Sequence, residues 1–128
     1  MAGRFIAMAA RLIAINTTRG VHLTEAGRVA DNALTRLVGL LRDDHLKPGD
    51  GLWIIPCNSI HSVGMRFLFD AVFLDKKLRV VYLIPEMKPW RASKMVFSAH
   101  SVLELPAGAI LTSGTQLGDQ LEMKLGDG

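Results

Sequence analysis

Phe67-Leu68-Phe69-Asp70-Ala71-Val72-Phe73-Leu74, Asp75-Lys76-Lys77 and Leu78-Arg79-Val80-Val81-Tyr82-Leu83-Ile84 are two apolar runs joined by a polar turn. Aromatic and β-branched residues around so short a charged connection read as a β-hairpin. Alternation along the first strand sets Phe67, Phe69, Ala71 and Phe73 on one face, and Leu68, Asp70, Val72 and Leu74 on the other. An acid flanked two residues either way by Leu68 and Val72 is expected to be partly buried and to need a partner. It is either a structural carboxylate accepting backbone N–H groups or a working acid, base or ligand anchor.

The pattern on either side of this hairpin is also strand-like. Residues 12–15 and 21 to about 29 read as two strands around turn chemistry at Asn16 to Gly20, with Gly27 a bulge or kink. Asp31 or Asn32 caps a short helix near 33–41, where Leu34, Leu37, Val38 and Leu41 form one apolar stripe. Pro48 to Gly51 breaks it, and residues 52–55 form a buried strand that ends at Pro56. Further strands are expected at 95–97, 101–105 and 120–124, with a helical turn at 106–111 and a tight turn at Gly118-Asp119. The expected fold is mainly β, or α+β with few helices: a compact two-sheet sandwich, jelly-roll-like or barrel-like domain. Its 128 residues suit a single domain with an ordered core of about 11–124.

Composition narrows the class. The chain is 49% hydrophobic and 21% charged, as expected of a soluble globular protein. One cysteine makes no internal disulfide, and a cytoplasmic location is the default. The first 24 residues hold Arg4, Arg11 and Arg19 and no acid, but Arg11 interrupts the apolar run, so they read as a disordered tip and a first strand. The net charge of +3 is uneven: Lys76, Lys77, Arg79, Lys88, Arg91 and Lys94 face only Asp75 and Glu86, with Tyr82 and Trp90 interleaved. A protein or nucleic-acid interaction module could use this basic 76–94 region, although the aromatics are few and no nucleic-acid motif accompanies them.

Polar chemistry concentrates in Pro56-Cys57-Asn58-Ser59-Ile60-His61-Ser62-Val63-Gly64-Met65-Arg66. Arg66 suits a bidentate grip on a carboxylate or phosphate, and His61 supplies a tunable donor or base. His61 with Asp70 could act as base and orienter, with Cys57 the candidate nucleophile. Cys57, His61 and Met65 recur every four residues and include soft ligands, which makes copper an option, although no metal or cofactor is expected. Zinc lacks a second cysteine or a close histidine pair. Glu104, between Leu103 and Leu105, reads as an edge-strand carboxylate unless the sheets bring it to Asp70, where the two could share a proton. No nucleophile elbow, phosphate-binding glycine loop, zinc-protease helix or dinucleotide fingerprint occurs.

Several ordered blocks are similar to one family. They are Gly39-Leu40-Leu41, Pro48 to Gly51, Pro56 to His61, Gly64 to Phe67, Asp70 to Asp75, Pro89-Trp90-Arg91, Val102 to Gly108 and Gly118-Asp119. Over about residues 11–124 the chain resembles the mainly bacterial family known as domain of unknown function 192. The resemblance implies a compact, mostly β domain and no established activity, and highlights Asn58, His61, Met65, Arg66, Asp70, Glu104 and Asp119. This chain departs from many relatives in having Leu68 where they have proline, and in its long segment from Lys94 to His100. The leading expectation is a domain that binds a small molecule or peptide, with charge favouring an anionic ligand. Asn58, His61, Met65, Arg66 and Asp70 would form the site, with Trp90 and Glu104 at its rim. The rival reading is an enzyme, of a reaction the sequence does not name.

Overall fold

In a computed structural model, residues 11–30, 46–63 and 65–126 are described. The helix expected near 33–41 lies outside them, as does Gly64. The strands are β1 (Arg11–Asn16), β2 (Val21–Ala30), β3 (Leu52–Ile54), β4 (Phe69–Leu74), β5 (Val80–Met87), β6 (Ser101–Pro106) and β7 (Leu121–Gly126); a short helix, α1 (Ala109–Ser113), precedes β7. They form one seven-stranded mixed sheet in the order β5-β4-β6-β3-β2-β1-β7. Only the β2–β3 pairing is parallel; the rest are antiparallel. The mainly β expectation holds, and the sheet is not closed into a barrel. Its outermost strands approach only at their starts, through an isolated bridge between Arg79 and Gln120.

Strand β2 turns the sheet over on itself. Its first part pairs with β1, and only Arg28, Val29 and Ala30 pair with β3. The register slips between Leu12↔Gly27 and Ala14↔Thr24, the irregularity expected at Gly27. A Cβ there would stand 3.1 Å from Thr24 Cγ2 and 3.2 Å from Leu12 Cβ, too close for comfort, so the missing side chain lets the strands meet.

The described residues form two hydrophobic clusters, on opposite faces of β4 and β6. One face carries Phe69, Ala71, Phe73 and Val102, covered by Ile60, Met65 and Val96 from the loops. The other carries Val72, Leu74, Leu103 and Leu105, covered by Leu12, Ala14, Leu23, Leu121 and Ile110 of β1, β2, β7 and α1. Strand β4 is therefore buried at every residue, which is why its sequence is apolar on both faces.

The hairpin is present with shifted limits. Strand β4 begins at Phe69 rather than Phe67, and β5 runs on to Met87. Pro85 is tolerated because β5 is an edge strand, where one side of the backbone has no ladder to lose. Residues 95–97 are not a strand: Val96 N–H donates to the Asn58 carbonyl and Ala99 N–H to the Val96 carbonyl, closing a turn over the first cluster.

Candidate functional site

Asp70 is fully buried, and both of its oxygens point at the main chain. Oδ1 accepts from Glu86 N at 2.8 Å and Gly108 N at 3.1 Å; Oδ2 accepts from Ile110 N at 2.7 Å. Each donor is one that regular structure leaves over. Between Phe69↔Met87 and Ala71↔Ile84, β5 carries an extra residue opposite Asp70, and Glu86 in that bulge has φ +50°. Gly108 is the N-cap of α1 at φ +95° with no side-chain cap of its own, so the carboxylate of β4 satisfies the helix start from a distance. Asp70 is thus a staple joining β4, the β5 bulge and the start of α1. His61 is not among its partners, and the base-and-orienter pair is not assembled.

Glu104 is fully buried too, and lies across from Ala71 and Leu52, whereas Asp70 lies across from Leu105. The two carboxylates therefore point to opposite faces and cannot share a proton. The edge and rim positions expected for Glu104 are also corrected, because β6 sits inside the sheet between β3 and β4.

The loop from Pro56 to Arg66 runs over the first cluster and is tied down by a residue that sequence reasoning passed over. Ser62 is fully buried. Its hydroxyl donates to the Lys88 carbonyl at 2.6 Å and accepts from Arg91 N at 2.8 Å, while its own N–H donates to the Arg91 carbonyl at 2.8 Å. Its carbonyl accepts from Trp90 N at 3.0 Å and Met65 N at 3.1 Å. An antiparallel bridge between His61 and Ala92 continues the pairing. Ile60 and Ser62 face inward while Val63 is exposed, a pattern that the residue types do not give.

The expected site residues divide along this loop. Met65 is buried in the first cluster, which turns its thioether to the core. Among the described residues, no three His, Cys, Asp or Glu side chains gather as metal ligands. Arg66 is exposed, and Trp90 is 66% exposed at φ +60°. His61 is half-buried, its Nδ1 accepting from Val63 N at 3.3 Å. Cys57 and Asn58 share a hollow of about 250 Å³ with Pro56, Ala99 and His100, and the Cys57 thiol donates to the Ser59 carbonyl at 3.0 Å. A larger groove of about 470 Å³ opens between β2, Pro48-Gly49 and the Pro106–Ser113 segment. No sequence feature announced it.

Charge is one-sided around the loop. Segments 56–68 and 87–103 together hold Arg66, Lys88, Arg91 and Lys94 and no Asp or Glu. Ser62 brings these two segments into register. Lys94 Nζ lies 4.7 Å from the centroid of the Tyr82 ring, which meets Phe73 edge-on. Arg19, by contrast, has an acid beside it. Asp119, buried at the turn before β7, accepts from Arg19 Nε at 2.9 Å, Arg19 Nη2 at 3.2 Å, Asn16 Nδ2 at 3.0 Å and Gln116 N at 3.0 Å. The Arg19 hydrogen bonds, helped by Asn16 and Gln116, outweigh burial and hold its carboxyl down at about 2. This is a structural clasp between the β1–β2 turn and the start of β7, more than the simple turn expected of Gly118-Asp119.

Residues 14–123 match the profile of DUF192, described as "Uncharacterized ACR". The chain belongs to the domain of unknown function 192 family. It is 32% identical over 114 residues to a UPF0127 protein of Pyrococcus furiosus, covering 84% of this chain and 95% of that one. A UPF0127 protein of Thermococcus sibiricus is 28% identical over 116 residues, covering 87% and 74%. These relatives are archaeal. A crystal structure of a protein of unknown function from Novosphingobium aromaticivorans shares the fold, with TM-score 0.74 at 19% identity, covering 87% of this chain and 82% of the other. Family membership brings no established activity.

Proposed function

We propose that the protein binds a small anionic molecule or an acidic peptide at the surface formed by loop 56–66 and the segment from Lys88 to Lys94. The observation that carries this reading is the Ser62 tie, which joins two cation-bearing segments that lack any acid. Arg66 and Arg91 supply charge and forked hydrogen-bond donors suited to a carboxylate or phosphate. His61 and Asn58 add polar donors nearby. Glu104 and Met65 lie on the inner side of this surface and do not touch the ligand, and Asp70 serves a different corner of the fold. A protein without a disulfide acting on a soluble anion fits the cytoplasm. No described helix is long and apolar enough to cross a membrane.

A thermal-shift screen against carboxylates and phosphates tests the reading. Stabilisation in the wild type should shrink in Arg66→Ala and Arg91→Ala and vanish in the double variant, and should weaken as salt rises. Equal stabilisation of the wild type and the double variant would move the site elsewhere.

A further inference from the structure

Trp90 follows Pro89 in a tight turn and occupies the left-handed region at φ +60°, where glycine or asparagine is the usual choice. A large apolar ring would ordinarily be turned inward, yet this one is 66% exposed. Nothing about the turn is loose. Ser62, with no exposed surface, holds Lys88 and Arg91 through its hydroxyl and Trp90 through its carbonyl. The same carbonyl holds Met65 N at 3.1 Å and Trp90 N at 3.0 Å, so the two chain segments lie on the order of 5 Å apart there. Arg66 and Arg91, the next residue in each segment, therefore start from neighbouring points of the backbone, and Arg91 Nη1 donates to the Trp90 carbonyl at 3.4 Å.

We infer that the ligand taken at this surface is a nucleotide, its planar base lying on the Trp90 indole and its phosphate held by Arg66 and Arg91. The inference rests on the anion-binding reading above and narrows it. An acidic peptide would use the two arginines and leave the ring idle, and a neutral sugar would use the ring and leave the arginines idle. A base carrying a phosphate uses both, and stacking accepts any base because every base has a π-face. The strained, clamped turn fixes the backbone that carries the indole before the ligand arrives, so less ordering is left to binding.

Isothermal titration with adenosine 5′-monophosphate as the probe tests this, with ribose 5-phosphate and adenosine as controls that lack the base and the phosphate. The nucleotide should bind about tenfold or more tighter than ribose 5-phosphate. Trp90→Ala should remove that difference, Trp90→Phe should keep most of it, and Arg66→Ala with Arg91→Ala should reduce the nucleotide to the level of adenosine. Thermal melting of each variant checks that it is folded. Equal affinity for the nucleotide and ribose 5-phosphate in the wild type would overturn the nucleotide and leave anion binding standing. Absence of binding by either phosphate would remove both. A trinucleotide arm separates the sources of the same chemistry: tighter, strongly salt-dependent binding assigns the end of a single strand, and affinity equal to that of the mononucleotide assigns the free metabolite.

Discussion

Asp70 and Ser62 are both fully buried polar residues that spend their side chains on the main chain, and they serve opposite ends. Asp70 gathers the bulge at Glu86 and the start of α1 into a corner where its own carboxylate meets nothing but backbone N–H. Ser62 gathers the Lys88–Arg91 turn under a loop, but what stands above it is exposed: an indole and cationic side chains. A buried polar group is thus no guide to chemistry by itself. What distinguishes the two corners is the surface each one holds in place.

The largest effect that would sharpen this contrast lies at Asp70. Asp70→Ala removes the acceptor of three backbone donors, one buried and two partly buried, and hydrogen bonds to a charged acceptor are the stronger kind. A loss of about 3–5 kcal/mol is expected in urea unfolding, with binding at the Trp90 surface unaltered in whatever fraction remains folded. A loss below about 1 kcal/mol would mean that the corner relaxes easily and that the carboxylate is not a staple.

Ser62→Ala comes next. It removes the hydroxyl that donates to Lys88 and accepts from Arg91, while the backbone bonds of residue 62 remain. The expected cost is about 1–3 kcal/mol. Unlike Asp70→Ala, it should also loosen the turn, read as faster local motion of Trp90 by fluorescence anisotropy in a Trp53→Phe background. Unchanged anisotropy would show that the turn holds itself and break the comparison.

A smaller effect belongs to the clasp at Asp119, which sits in neither corner and has no exposed cargo. Its pKa is about 2 when folded against an ordinary value of 3.8. Lowering the folded value makes the contribution to stability fully present above about pH 4 and lost as the pH falls through 2. Arg19 is 36% exposed and screened by water, so about 1 kcal/mol is expected across that window. Acid unfolding of Asp119→Asn should lack that component. An unchanged acid midpoint would show that the ion pair contributes nothing.

Much of this was readable in the chain, and the failures share a cause. The hairpin, the slip at Gly27 and the burial of Asp70 follow from alternation and from one residue type in an apolar run. The two faces of β4 were also assigned correctly, which already separates Asp70 from Phe69, Ala71 and Phe73. What alternation cannot supply is which strand lies next to which. An acid between Leu103 and Leu105 suggests an edge strand open to water, yet the strand order puts Glu104 between β3 and β4. Ser62 was invisible for the same reason, since its partners lie 26 and 29 residues away. Residues 95–97 have the composition of a strand, but Val96 donates its N–H to a loop carbonyl and its own carbonyl accepts from Ala99 to close a turn.

The smallest predicted effect is the most diagnostic of strain. Trp90 at φ +60° pays a steric penalty that glycine does not, because only glycine lacks the Cβ that crowds this region. Trp90→Gly gains that relief, roughly 1 kcal/mol, and loses about as much to the greater freedom of glycine in the unfolded chain. The indole is mostly in water, so little burial is forfeited. The net change should fall within about 0.5 kcal/mol of zero, with the unfolding slope unchanged. Trp53→Gly, with its ring packed against the second cluster, should cost several times more. If Trp90→Gly proved as costly as Trp53→Gly, the exposed ring would be holding the fold together, and the Ser62 corner would be as purely structural as the one at Asp70.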